Sequence, residues 1–373
     1  MADTIYASDL LGRIAAFPRV TLATLPTPLE EAPRLASALG VDRIFVKRDD
    51  LTGLAFGGNK SRNYEFRLGE ALGHGVDSVI MYVDVLSNSQ RQLAGAAARL
   101  GLETHLVLCG EQPSVPTGNL LLSRLLGAHV TFVRTEGDQR PAAEAIRARL
   151  AAQGHRPIVL NESPMFELAG VLAYAIAALE VIEQLDAAGI EPSLARIYMS
   201  STGKGQAGLE LALRTLGTGA TVTGVAARDH GGNAATTVAA LANETARKLD
   251  IDLVVDPCEV DNRETYVGPG YGIPSKQGNE ALLMAARFAG LILDPVYTAK
   301  AFAALVDDAR AGDFAPGLTP VFLHTGGSPM IFSFAQTLLD AKVNLDESAS
   351  RGTPRCPSCA PTMTASTIDP TRP

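Results

Sequence analysis

Lys60 lies in a segment whose residue types favour nucleophilic chemistry. It follows a Gly57-Gly58-Asn59 turn and stands at the start of a predicted helix. Glycines lack a Cβ atom, so another group can approach the backbone closely at this turn. The positive end of a helix would lower the pKa of a nearby ammonium, and a lysine that loses its proton can form a Schiff base with a carbonyl. The segment predicts a reactive lysine, with an ordinary surface lysine at a helix start as the alternative.

A second glycine-rich segment, RIYMSSTGKGQAGLELALRTLG, is predicted to form a strand, a loop and a helix. Its loop N–H groups and the helix N-terminus could bind an anion such as a phosphate. Gly203, Gly205 and Gly208 also satisfy the GxGxxG motif of dinucleotide-binding proteins, with Asp229 lying 21 residues beyond Gly208. A phosphate site, a dinucleotide site and a tight turn without a ligand all remain open at this point.

Other polar residues stand at the ends of predicted elements. Ser87 and Asn88 precede a helix, which suits helix capping. Tyr271 lies in the bent GPGYGIP loop, Tyr297 follows an Asp-Pro pair, and His324 ends the strand VFLHT. Each of these side chains could equally well have a structural role, the tyrosines as packing residues with a satisfied hydroxyl group.

These residues must be positioned by alternating strands and helices. Helical patterns such as RQLAGAAARL and LAYAIAALEVIEQL separate the predicted strands. Such alternation predicts an α/β fold with parallel sheets covered on both faces. The eight predicted strands cover residues 44–47, 78–83, 104–108, 129–133, 157–160, 196–200, 221–227 and 320–325.

Bulk composition excludes several classes of protein. The chain has 373 residues and a net charge of -8, which argues against a nucleic-acid-binding surface. It contains no run of 18 apolar residues and no visible secretory signal, so we expect a cytoplasmic protein with no membrane partner. Cys356 and Cys359 form a CxxC pair without a second pair, so no metal site is expected.

Seven separated motifs together resemble the fold-type II pyridoxal phosphate (PLP) enzymes. The chain is most similar to the branch of D-cysteine desulfhydrase, L-cysteate sulfo-lyase and 1-aminocyclopropane-1-carboxylate (ACC) deaminase. The resemblance covers residues 18 to 340. The motifs are PRVTLATLPTPLE, KRDDLTGLAFGGNKSR, SNSQRQLAGAAARLG, TGKGQAG, GYGIPSKQGNEAL, DPVYTAK and HTGG, in the order of the family.

The resemblance implies a two-domain, three-layer α/β fold with parallel-rich twisted sheets, like that of tryptophan synthase β. Residues 1–62 and 169–342 would form the large PLP-binding domain, and residues 63–168 a small inserted α/β domain. The cofactor would lie in the cleft between them. Residues 343–373 are rich in Ser, Thr and Pro and have no periodic apolar face, which predicts a disordered tail.

The resemblance also implies roles for individual residues. Lys60 would hold PLP, Ser87 would lie close to the substrate, and Tyr271 and Tyr297 would face it, with Tyr297 as a candidate acid or base. A shift in the phenol pKa would be needed for that role, and a nearby cation could provide it. The cofactor-binding residues implied are Lys60, Asn59, Asn88, Thr202, Gly203, Lys204, Gly205, Thr298, His324 and Thr325.

Three departures from the family pattern concern ligand binding. Many members have a lysine three residues after the Schiff-base lysine, where this chain has Asn63. We hypothesise that Lys204, which is also unusual, supplies the replacement charge for the phosphate. Leu86 replaces the usual glutamine before Ser87, and this change affects the loop in which substrates are recognised.

Thr298 discriminates between reactions within this branch. By resemblance it faces the PLP pyridine nitrogen, where ACC deaminases have a glutamate that keeps the nitrogen protonated. A threonine hydroxyl group favours a neutral nitrogen, which suits β-elimination of a good leaving group better than opening of a cyclopropane.

The sequence therefore predicts a PLP-dependent lyase that converts a small amino acid to a 2-oxo acid and ammonia. D-cysteine is the first expected substrate, with L-cysteate sulfo-lyase and ACC deaminase activities as alternatives. A catalytically inert PLP- or nucleotide-binding protein is the alternative from another class. A homodimer is implied by the resemblance alone.

Overall fold

The computed structural model describes residues 5–340, and within this range the eight predicted strands are all present. Two further strands, β1 and β9, have three residues each and escaped the sequence analysis because so short a segment shows no periodicity. The strands are β1 (Leu29–Glu31), β2 (Phe45–Lys47), β3 (Ser78–Asp84), β4 (Glu103–Cys109), β5 (His129–Val133), β6 (Pro157–Val159), β7 (Ala195–Ser201), β8 (Thr221–Ala226), β9 (Asp261–Arg263) and β10 (Thr319–Leu323).

Helices connect these strands, as the alternating pattern predicts. They are α1 (Ala7–Ile14), α2 (Pro33–Leu39), α3 (Lys60–Gly73), α4 (Asn88–Leu100), α5 (Gly118–Leu125), α6 (Gln139–Ala152), α7 (Met165–Ala187), α8 (Lys204–Thr215), α9 (Ala234–Lys248), α10 (Lys276–Ala289), α11 (Thr298–Ala311) and α12 (Ala335–Asp340).

The strands form two sheets. The larger sheet has the order β1-β2-β10-β7-β8-β9, and its strands are parallel except for β1, which pairs antiparallel with β2. The smaller sheet has the order β5-β4-β3-β6 and is entirely parallel. The carboxyl ends of parallel strands with helical crossovers lie at one edge of the sheet, where α/β proteins place their ligands.

The predicted domain ranges match the distribution of the strands between the sheets. The smaller sheet lies within residues 63–168, and the larger sheet uses only residues before and after that range. Helices α3 and α7 each run across a predicted boundary, and the described residues up to Ala335 form one compact unit. The two-domain division stays a prediction, and the predicted tail at 343–373 lies outside the described residues.

Helix α7 is the most apolar helix that the structure describes. By length and composition it could cross a membrane, with a mean hydropathy of 1.9 over its most apolar window. However, 67% of that window is buried, and the helix contributes residues such as Leu172 and Ala177 to the main core. A helix that is apolar on all sides is typical of the centre of a large core, so the hydropathy of α7 is weak evidence for a membrane span.

Candidate active site

A cavity of about 160 Å³ brings most of the predicted site residues together. Nine of the thirteen line it, and the other four, Gly203, Tyr271, Thr298 and His324, do not. The lining residues are Asn59, Lys60, Asn63, Ser87, Asn88, Tyr174, Met199, Ser200, Thr202, Lys204, Gly205, Tyr297 and Thr325.

The turn before Lys60 is shaped by glycines that no other residue could replace. Gly57 and Gly58 have φ values of +65° and +119°, a region that L side chains avoid. A Cβ atom on Gly57 would collide with the Asp50 carbonyl group, and one on Gly58 would lie 2.5 Å from Gln92 Nε2. The Asn59 N–H donates to the Thr325 carbonyl oxygen at 3.0 Å. The HTGG segment therefore holds the turn by backbone hydrogen bonds.

Lys60 is the first residue of α3, as predicted. Burial of its amine lowers the pKa to about 8, and the Arg67 guanidinium lowers it in the same direction. The direction agrees with the prediction, but burial is the main cause rather than the helix end. Among residues 5–340, no hydrogen bond or ion pair engages the Lys60 amine. A substantial neutral fraction of this amine is therefore available near physiological pH.

A buried ion network anchors the turn and the first turn of α3. Arg62 is 1% exposed and donates to both carboxylate oxygens of Asp49 at 2.8 and 3.0 Å. It also donates to both oxygens of Glu180 at 2.7 and 2.8 Å. Tyr174, which lines the cavity, donates its hydroxyl hydrogen to Asp49 at 2.9 Å. Bidentate pairs of this kind fix orientation, so the backbone that presents Lys60 is rigidly held.

The strand–loop–helix segment lies opposite Lys60. Gly203 caps α8 with a φ of +102°, and Ser201 Oγ accepts from its N–H at 3.2 Å. Thr202, Lys204 and Gly205 line the cavity. The free N–H groups at the start of α8 thus face the same space as the two lysines.

Lys204 is a partly buried lysine at the cavity wall. Its Nζ donates to the Phe166 carbonyl oxygen at 3.0 Å, lies 3.0 Å from Glu167 Oε2 and stands 3.5 Å from the centroid of the Phe166 ring. Burial lowers its pKa to about 7, and Arg67 lowers it further. Gly170 makes room for this side chain, because a Cβ there would lie 2.7 Å from Lys204 Cβ.

Ser87 and Asn88 begin α4. Ser87 Oγ accepts from the Ser89 N–H at 3.2 Å, so the capping interpretation is correct. Asn88 Oδ1 accepts from Asn119 Nδ2 at 2.9 Å. Both residues also line the cavity, so helix capping leaves them free to meet a ligand.

Tyr271 contacts Tyr297, which lines the cavity, but does not line the cavity itself. Their hydroxyl oxygens are 2.5 Å apart, and only Tyr297 lines the cavity. Burial raises the pKa of Tyr271 to about 12 and that of Tyr297 well above its ordinary value. A role for Tyr297 as a base near neutral pH would need a lowered phenol pKa, but burial raises the pKa of both tyrosines. Both phenols therefore stay protonated near neutral pH and can act as donors or acids.

Thr298 is fully buried and does not line the cavity. Its hydroxyl group donates to Asp294 Oδ2 at 2.7 Å, and the Asp294 N–H donates to Thr298 Oγ1 at 2.8 Å. Asp294 also accepts from the N–H groups of Tyr297 and Thr298. Asp294 thus caps α11, whose first residue is Thr298.

His324 is 1% exposed, and burial lowers its pKa. Its Nδ1 accepts from the Gly326 N–H at 3.2 Å, and its backbone oxygen accepts from Asp50 at 2.9 Å. The structure thus matches the buried, hydrogen-bonded histidine considered as the alternative role. Thr325 next to it lines the cavity.

Comparisons with known proteins decide the family. A family model described as "Pyridoxal-phosphate dependent enzyme" matches residues 20–326. This chain belongs to the pyridoxal-phosphate-dependent enzyme family. A D-cysteine desulfhydrase of Klebsiella pneumoniae (strain 342) is 36% identical over 329 residues, which are 87% of this chain and 98% of that enzyme.

Solved structures of this family share the fold. An ACC deaminase homologue is 32% identical, superimposes with a TM-score of 0.77, and the match covers 90% of this chain and 99% of that chain. Threonine deaminase isoform 2 from Solanum lycopersicum has a TM-score of 0.61 at 19% identity, which supports the fold alone. The predicted α/β class with parallel-rich sheets is confirmed.

Family membership removes the dinucleotide interpretation of the GxGxxG segment. Asp229, which would bind a ribose in that interpretation, is exposed, and its carboxylate accepts from the Gly231 N–H at 2.8 Å. Gly208 instead serves helix packing, since a Cβ there would lie 2.7 Å from Tyr174 Cβ. The motif match therefore arose from one phosphate-type loop and one packing glycine.

The chemical groups that line the cavity suit PLP, the cofactor of this enzyme family. Asn63 Oδ1 is buried without a hydrogen-bond partner, and its residue lines the cavity beside Lys204. The cavity thus presents two amines of lowered pKa, Lys60 and Lys204, and the N-terminus of α8. An aldehyde that carries a phosphate matches this set of groups.

Arg67 is a residue that the sequence analysis missed. Its side chain is 4% exposed, donates to the Phe166 carbonyl oxygen at 2.6 Å and leaves its Nε without a partner. It lowers the pKa of both lysines. A signal was present, because Lys60, Asn63 and Arg67 stand at helical positions i, i+3 and i+7 and so share one face of α3.

Proposed function

We propose that this protein is a PLP-dependent lyase that removes the β-substituent of a small amino acid and releases a 2-oxo acid and ammonia. D-cysteine is the first proposed substrate. The observation that carries the proposal is the Lys60 amine, which has a lowered pKa and faces the phosphate-type loop across one cavity. The relationship to a D-cysteine desulfhydrase over most of both chains supports the choice of substrate.

Lys60 would hold the cofactor, and Asn59, Asn88 and Thr325 would surround its ring. Thr202 and Gly205 would donate backbone N–H groups to its phosphate, and Gly203, whose N–H donates to Ser201 Oγ, would shape the loop. When bound, PLP supplies an electron sink that stabilises negative charge at the substrate Cα.

The residues of this chain would move the protons. Once released by the substrate amine, neutral Lys60 can accept the Cα proton, which its lowered pKa favours. Ser87 would bind the substrate carboxylate. Tyr297, protonated and hydrogen-bonded to Tyr271, would donate a proton to the departing group.

Thr298 supports β-elimination over ACC deamination. Its hydroxyl group is neutral and already donates to Asp294, so it offers a pyridine nitrogen no charge of its own. L-cysteate elimination is the second candidate. It also begins with removal of the Cα proton, but its Cα configuration is opposite to that of D-cysteine and its leaving group is sulfite, so Lys60 would have to meet the other face of the substrate.

Lys204 is proposed as the cation that replaces the missing lysine at position 63. Its amine is tethered to Phe166 and Glu167 at the wall of the same cavity as Asn63. A phosphate in this cavity would compete with Glu167 for the ammonium. Arg67 lies close to Lys204, because both side chains donate hydrogen bonds to the Phe166 carbonyl oxygen.

The remaining proposals concern location and assembly. We infer a cytoplasmic homodimer with no nucleic-acid or membrane partner. The acidic net charge of -8 argues against nucleic-acid binding, and the mostly buried α7 argues against a membrane span. The homodimer rests on the family resemblance alone. Sedimentation of the purified protein would test the dimer.

The first experiment compares the purified protein with Lys60→Ala, using the visible absorption of lysine-bound PLP. Wild type should show the band and release a 2-oxo acid from D-cysteine, L-cysteate or ACC, and Lys60→Ala should lose both. Lys248→Ala, which changes an exposed lysine on α9, is the matched control.

Two outcomes would contradict the proposal. Absence of the band after addition of PLP would remove the cofactor role of Lys60. A normal band without any 2-oxo acid from a panel of D- and L-amino acids would favour the catalytically inert alternative.

A further inference from the structure

A second cluster of reactive side chains lies on the smaller sheet, formed by residues that the proposed lyase mechanism does not use. Three of the six histidines of the chain converge on one carboxylate, that of Glu103. His105 Nε2 lies 2.7 Å and His129 Nε2 lies 3.6 Å from Glu103 Oε1. His155 Nε2 lies 4.0 Å from Glu103 Oε2.

The strand register explains why these residues meet. Strands β4 and β5 are parallel, and His105 is the register partner of His129. Glu103 lies two residues before His105 on β4, so all three side chains project from the same face of the sheet. The two imidazole rings stack with centroids 4.8 Å apart and an angle of 18° between their planes. His155 reaches the same carboxylate from the loop before β6.

The ligand atoms have the chemistry and spacing of a metal site. One oxygen or nitrogen from each of Glu103, His105 and His129 lies within 4.8 Å of the other two. Tetrahedral zinc with bonds of about 2.0–2.2 Å holds its ligands about 3.3–3.5 Å apart. His129 is 64% exposed, so its ring can rotate to close the remaining distance. Imidazole and carboxylate together suit late first-row divalent metals.

The surroundings orient the imidazoles as they do in metal sites. His155 Nδ1 lies 3.5 Å from Asp77 Oδ1 and 3.4 Å from Ser78 Oγ, so its Nε2 is directed toward Glu103. A carboxylate on the far nitrogen is the usual partner of a metal-ligating histidine. His105 is 5% exposed, so the packing around β4 fixes the position of its ring.

We propose that Glu103, His105 and His129, with His155 in reach as a fourth ligand, form a binding site for a divalent transition metal such as Zn²⁺. The ion would join β4, β5 and the segment before β6, and so would stabilise the smaller sheet from the face of these residues. The CxxC pair alone predicted no metal site, and the ligands proposed here were not recognised because His129 and His155 lie far from Glu103 and His105 in the sequence. This proposal does not depend on the lyase function.

The test is calorimetric titration of the tag-free, PLP-loaded full chain with ZnCl₂. The protein should carry Cys356→Ser and Cys359→Ser, so that the CxxC pair cannot bind the ion. We expect one Zn²⁺ per chain. His129→Ala should weaken Zn²⁺ binding by at least about tenfold, since even changes to the partners of ligands cost 10–100-fold. Zn²⁺ should raise the melting temperature of the parent but not of His129→Ala.

His74→Ala is the matched control, because His74 is exposed and pairs with a single carboxylate, that of Glu70, at 3.7 Å. Its Zn²⁺ affinity should equal that of the parent. Equal Zn²⁺ affinity of the parent and His129→Ala would overturn the proposal. Absence of saturable Zn²⁺ binding would also overturn the proposal. The cluster would then be only a stacked pair of histidines in contact with Glu103.

Discussion

Two walls of the same cavity differ in how firmly they are held. The lysine wall, residues 49–63 with Thr325, is fixed by the buried Arg62 network and by backbone hydrogen bonds to the turn. The serine wall, residues 84–89, is half-buried throughout. The side chains of Ser87 and Asn88 each make one hydrogen bond there, with the Ser89 N–H and with Asn119 Nδ2, and the Ser87 N–H donates to the Asp84 carbonyl oxygen.

This difference suggests a division of labour. A Schiff-base lysine must stand at one place relative to the cofactor, and rigid surroundings reduce the cost of holding it there. Substitutions on the serine wall, where the side chains make few contacts, should leave the binding of the cofactor unchanged. The departure from the family pattern at Leu86 falls on this second wall.

The largest predicted effect is a loss of folding stability, caused by a substitution that removes the ion network of the lysine wall. Arg62→Met removes the cation that binds Asp49 and leaves Glu180 with Lys47 as its remaining partner. Breaking a buried ion pair in this way typically costs about 3–5 kcal/mol. We expect a large drop in the urea midpoint of unfolding and loss of PLP. Arg43→Ala, which removes an exposed pair with Glu31, should cost at most about 1 kcal/mol. Equal midpoints for the two variants would show that the network does not hold this wall.

Removal of the proton donor should have the next largest effect. Tyr297→Phe should lower kcat by about a hundredfold, while Tyr271→Phe, one hydroxyl group further away, should lower it less. Because burial raises the pKa of Tyr271 to about 12, Tyr271→Phe should leave the limbs of the pH–rate profile between pH 6 and 9 in place. Loss of a limb in that variant would contradict the assignment of a protonated phenol.

Lys204 lies outside both walls, and its substitution tests how strongly the cavity binds the phosphate of PLP. Lys204→Ala should weaken PLP binding by about 10–100-fold, as expected for loss of a buried charge-assisted bond of about 1.5–3 kcal/mol, while Lys248→Ala should not. The free Lys204 amine has a pKa of about 7, so its cation is present below that pH and lost above it. The advantage of wild type over Lys204→Ala, measured by equilibrium dialysis, should therefore narrow as the pH rises above 7. A constant ratio across that range would reject the phosphate role.

The smallest effect should come from the serine wall. Leu86→Gln restores the common residue of the family, and we expect it to change the ratio of kcat/KM among D-cysteine, L-cysteate and ACC by about tenfold. Since Leu86 does not line the cavity, PLP affinity should stay unchanged. A parallel loss of PLP in this variant would show that the two walls are not independent.

Much of this arrangement could be predicted from local pattern. The strands, the GGNK turn and the phosphate-type loop follow from short-range rules about glycine, helix ends and apolar runs, and all of them form as predicted. The lowered pKa of Lys60 was predicted in direction but not in cause, because burial by distant segments cannot be read from neighbouring residues.

The sequence by itself determined the family, the α/β class and the residues most able to react. Their types and spacing are local properties, and seven ordered motifs identify a shared ancestor. Tertiary structure alone decided that Arg67 approaches Lys204, that Thr298 binds Asp294, and that the tyrosine pKa values rise. The metal-type cluster likewise exists only through the register of β4 and β5. These features depend on burial and on contacts between residues far apart in the chain, which no local pattern encodes.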